Sequence, residues 1–78
     1  MKIYLDQTLN RIEDDETGDT LLHLGMGYAE SLKYQKILDK VLTESQLLDS
    51  GERDSSYKLS KKRERILFEE IAKLNSEK

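Results

Sequence analysis

The sequence predicts an all-α fold, a small helical domain of three segments, and three observations carry that expectation. The 78 residues contain no proline, so the four glycines at 18, 25, 27 and 51 are the strong breakers. Apolar residues recur at helical spacing in the first and last segments. Charged residues reach 37% against 36% hydrophobic, which fits narrow apolar stripes rather than continuous buried runs.

In the first segment Met1, Leu5, Thr8, Leu9 and Ile12 fall on one helical face. Asp6 then lies in the first turn, where a negative charge suits the helix dipole. Gly18 is the stop. The run Glu13-Asp14-Asp15-Glu16 before it sits at the wrong end of the dipole, so this end is expected to fray. A brief strand from Lys2 to Leu5 is the competing reading.

Asp19 or Thr20 can cap the central helix. Its apolar residues form two sets. Leu21, Leu24, Tyr28, Ala29 and Leu32 cluster on one side. From Tyr34 onward, Ile37, Leu38, Val41, Leu42 and Leu48 cluster on roughly the opposite side. One straight helix with one buried stripe cannot satisfy both. Either the segment breaks near Gly25-Met26-Gly27, or a long helix meets different partners along its length. Gly51 suits the end of this helix, and residues 52–57 read as a loop. The last helix starts near Ser60, with a stripe of Leu67, Ile71 and Leu74 broadened by Phe68. Residues 75–78 form a frayed tail, and 1–78 make a single domain.

A chain this short has a small core, and without cysteine it has no disulfide to reinforce it. A single histidine argues against structural zinc, so neither metal nor cofactor is expected. Self-association, most simply as a homodimer, is the remaining device. Its expected surface, shared with other protein partners, is Leu24, Tyr28, Leu32, Tyr34, Ile37, Leu38, Val41 and Phe68. No leader opens the sequence and no apolar run has the length of a membrane span, so a soluble cytoplasmic protein is expected.

The net charge of −3 hides a gradient. Residues 1–20 carry two bases and six acids, whereas residues 51–78 carry eight bases and six acids. Lys58, Lys61, Lys62, Arg63 and Arg65 form the densest basic cluster. It reads either as a phosphate-contacting patch or as a solvated face that complements the acidic segment. Glu13 to Glu16 with Asp19 do not follow a calcium loop, because Gly25 stands where the closing glutamate would be. His23 has no second histidine or cysteine to join it. No glycine-rich phosphate loop or nucleophile triad is written into the chain.

The expected function is therefore non-catalytic: a helical protein–protein interaction module, acting as an adaptor, inhibitor or assembly protein. The alternative is a nucleic-acid-binding accessory factor that uses the basic start of the last helix. A further alternative comes from Ser45-Gln46-Leu47-Leu48-Asp49. That string resembles the signature of the small helical-hairpin aspartyl-phosphate phosphatases that act on response regulators. The resemblance implies a role for Ser45, Gln46, Leu48 and Asp49 in dephosphorylation. In that family apolar positions continue after the signature, whereas here Gly51 and a polar stretch follow.

Overall fold

The computed structural model describes residues 1–42 and 54–76. It overturns the all-α bundle: among the described residues a four-stranded antiparallel sheet is covered on one face by two helices. The strands are β1 (Lys2–Asp6), β2 (Arg11–Asp14), β3 (Thr20–His23) and β4 (Asp54–Lys58). The helices are α1 (Tyr28–Val41) and α2 (Lys61–Ser76). The sheet order is β3-β2-β1-β4, so a three-strand meander is completed by β4 on the free side of β1.

The short-strand alternative at Lys2 to Leu5 is the one that matches, and the reason lies in turn chemistry. Asp6 Oδ1 accepts the N–H groups of Thr8 and Leu9, both at 3.1 Å, and closes the β1–β2 connection as an Asx turn. Asn10 follows in the left-handed region at φ 51, which asparagine tolerates better than most residues. The acidic run is not a fraying helix end. Asp14 Oδ1 accepts from Glu16 N at 2.9 Å and Thr17 N at 3.3 Å, and Gly18 takes φ 78 to complete the β2–β3 turn.

Between these turns the alternation is that of strands. Ile3 and Leu5 are fully buried while Lys2, Tyr4 and Asp6 point to the other face. Register places Leu5 opposite Ile12, Ile12 opposite Leu22, and Ile3 opposite Tyr57, so one face gathers all five apolar side chains. The reverse face is ionic, with Arg11 3.3 Å from Asp6 and 3.4 Å from Glu13, and Lys2 3.3 Å from Asp15. A bulge between β2 and β3 leaves Leu21 as an extra residue, turning it with Leu22 toward the helices.

The central helix begins only after the glycines. Gly25 has φ 86, Gly27 is the extended N-cap, and Glu30 folds back over Gly27 where a Cβ would collide with its carboxylate. Upstream, Thr20–His23 is strand, so the first apolar set is split: Leu21 and Leu24 precede the helix, while Tyr28, Ala29 and Leu32 lie on the outward side of α1. The second set wins the core: Tyr34, Ile37, Leu38, Val41 and Leu42 pack on Ile3, Leu5, Ile12, Leu22, Tyr57, Leu59 and Leu67. Each such side chain stabilises the fold by roughly 1.5–3 kcal/mol.

α2 begins as expected, with Ser60 Oγ accepting from Arg63 N at 3.4 Å. It lies antiparallel to α1, since Lys40 meets Arg63 and Glu70 while Lys33 lies by Leu74 and Asn75. Residues 54–58 are strand, which overturns the expected loop over 54–57. The expected end of the central helix at Gly51 and the Ser45–Asp49 string lie outside the described residues. Of the expected tail, 75 and 76 still belong to α2.

Candidate functional site

Of the expected interaction surface, Tyr34, Ile37, Leu38 and Val41 are committed to the intramolecular core and form no surface. Leu24 is half-buried against that core. Only Tyr28, Leu32 and Phe68 remain on the outside, the first two joined by Met26 at the start of α1. Tyr28 and Leu32 stand one turn apart on the side of α1 opposite Tyr34 and Val41, while Phe68 lies on α2.

The basic cluster is also dispersed. Lys58 ends β4 and is exposed, whereas Lys61, Lys62 and Arg65 spread over the outward side of α2. Arg63 turns inward, donating from Nη1 to the Lys40 carbonyl at 3.2 Å and so placing a cation at the C-terminal end of α1.

What the structure brings together instead is a second set of lysines. Lys33, Lys36 and Lys40 stand at i, i+3 and i+7 on α1, and Lys73 faces them from α2. They border a groove of about 300 Å³ whose floor includes Ile37 and Leu74. Among the described residues Glu70 is the single acid that lines it, 3.1 Å from Lys40 and 3.5 Å from Lys73. The hydrogen bond from Lys40 holds the Glu70 carboxyl below its ordinary pKa against the opposing effect of partial desolvation, and the charges of Lys40 and Lys73 add to the lowering. Glu70 therefore stays ionised in neutral solution and neutralises only part of the lysine charge.

A second cavity, of about 290 Å³, adjoins the first and shares Lys33 and Leu74 with it. Its other walls are Leu21, Leu22, His23 and Leu24 from the β3 side, with Ile71 and Asn75 from α2. The signal that would have found this seam was the i, i+3, i+7 spacing of lysines beside the apolar stripe of the central helix. In the sequence this spacing is overshadowed by the denser basic run at 58–65.

Charge is segregated by layer. The two helices carry eight bases and five acids, while the meander over residues 1–23 carries two bases and six acids. Among the described residues no three His, Cys, Asp or Glu side chains gather as a metal site would require. No helix among them is long and apolar enough to cross a membrane. The fold and seam define a two-layer α/β domain with a lysine-bordered groove between its helices. Comparison with protein-family models, curated proteins and solved structures gives no match for this chain.

Proposed function

We propose that the protein is a non-catalytic interaction module, an adaptor or inhibitor, that takes an acidic segment of a partner protein along the seam between α1 and α2. The observation that carries this reading is the convergence of Lys33, Lys36, Lys40 and Lys73 on one groove with Glu70 as its single acid among the described residues. Like-charged ammonium groups held side by side repel one another, and an anionic segment relieves that repulsion while gaining charge-assisted hydrogen bonds. A short acidic segment ends within the groove. A long polyanion such as duplex DNA runs on past it toward an acidic meander, on a molecule of net charge −3, and is repelled there.

The test is calorimetric titration with a Glu-rich peptide and, separately, with a DNA duplex at several salt concentrations. Support is saturable peptide binding that Lys36→Glu with Lys73→Glu abolishes. Preferential binding of duplex, with a salt slope reduced by neutralising Lys61, Lys62, Arg63 and Arg65, would establish the nucleic-acid reading instead.

A further inference from the structure

We infer that the acidic segment recognised by this protein carries one large apolar side chain beside its acids, and that this side chain inserts into the cavity walled by Leu21, Leu24, Ile71 and Leu74. The inference rests on the function just proposed and names what its ligand must contain.

Among the described residues six apolar side chains are only partly covered where they pack against the core, namely Met1, Leu21, Leu24, Ile66, Ile71 and Leu74. Four of these six line the one cavity of about 290 Å³, so the incomplete burial is concentrated rather than scattered. The β2–β3 bulge is its structural cause. By adding Leu21, it presents two consecutive leucines to the helix layer, where a regular strand would present one and send its neighbour to the other face. The end of α2, through Ile71 and Leu74, then leaves Leu21 and Leu24 half-covered.

The cavity is continuous with the lysine groove, because Lys33 and Leu74 belong to both. One extended segment can therefore set carboxylates against Lys36, Lys40 and Lys73 and place the next side chain between Leu24 and Leu74. Charge supplies steering and register, and the apolar anchor supplies most of the residence time. The cavity, of about 290 Å³, has room for a leucine or phenylalanine side chain, and burying one changes affinity by at least about tenfold.

Two synthetic peptides of equal length separate the possibilities, one Glu-rich with a single leucine at its end and one with serine in that place. Binding is followed by fluorescence anisotropy, and amide shifts in the labelled protein report the location. The leucine peptide is expected to bind about tenfold tighter. Its added shift changes should centre on Leu21 to Leu24 and Asn75, with Leu21→Ser, checked by its thermal unfolding curve, removing the advantage. Equal affinities, or added shifts confined to α1 lysines, would overturn the anchor while leaving the proposed function standing. Leucine-peptide affinity left undiminished by Lys36→Glu with Lys73→Glu would keep the cavity as an anchor site and remove the acidic-segment reading. Failure of both peptides to bind would remove the function and the anchor together.

Discussion

Asn10 Nδ2 donates to the Gly25 carbonyl at 2.8 Å, tying the β1–β2 turn to the connection between β3 and α1. The backbone repeats the tie, with Leu24 N donating to Asn10 O at 3.1 Å. Asn10 is 4% exposed and holds φ 51, so one residue meets both a backbone and a side-chain requirement. Asn10→Ala is expected to cost about 2–3 kcal/mol, from the lost buried hydrogen bond and from alanine's poorer tolerance of the left-handed region. Asn10→Gly keeps the turn geometry and should cost roughly 1 kcal/mol less. Urea unfolding of the pair decides this, and equal losses would mean that the backbone conformation contributes nothing.

The two apolar stripes of the central segment predict opposite mutational behaviour. Ile37→Ala removes a core side chain and should cost roughly 2–5 kcal/mol. Tyr28→Ser should change stability by no more than about 0.5 kcal/mol and Leu32→Ser by about 1 kcal/mol, because Tyr28 is 82% and Leu32 47% exposed. Thermal denaturation of the three variants checks the assignment of stripes to inside and outside.

Glu70 couples stability to pH with a definite sign. Its folded-state pKa is depressed, so its stabilisation is complete above about pH 4.5, the unfolded value, and fades as pH falls through the folded value. The partners Lys40 and Lys73 are 54% and 68% exposed, which limits the effect to about 0.5 kcal/mol. Glu70→Gln should therefore flatten part of the stability loss between pH 5 and 3, as followed by denaturant midpoints (a pH range of about two units set by carboxylate titration).

The same substitution is expected to act in the opposite direction on binding. Neutralising Glu70 in the lysine groove raises its positive potential, so a Glu-rich peptide should bind Glu70→Gln a few-fold tighter than the parent protein (an effect of about 1 kcal/mol or less). Weaker binding to this variant would show that Glu70 orders Lys40 and Lys73 for the ligand rather than competing with it.

The sequence made the last helix and part of the second legible. The α2 stripe of Leu67, Ile71 and Leu74 and the Ser60 cap stand where helical spacing put them. The sheet was hidden because its strands are only four or five residues long, and the same residues serve two periods at once. Met1, Leu5 and Ile12 fit a helical face, yet Ile3 and Leu5 fit alternation equally well, and five residues cannot separate the two. Asp6, Asn10, Asp14 and Gly18 were the arbiters, since each holds a turn by side-chain capping or positive φ. The basic seam was hidden for a different reason. Lys73 joins Lys33, Lys36 and Lys40 only through helix–helix packing, which no local pattern encodes.

The position of β4 has a consequence for how the protein is made. β1 pairs with β2 through a short turn, but its other edge waits for Asp54–Lys58, with Ile3 set opposite Tyr57 and Lys2 opposite Lys58. During synthesis the meander can close while the ribosome is still delivering α1. Until β4 emerges, β1, one of the two inner strands of the finished sheet, is an open edge bearing Ile3 and Leu5, the kind of surface that recruits a wrong strand. The nascent chain is thus most exposed to mispairing in the interval between its first turn and its last strand, and a translational pause there would lengthen the risk.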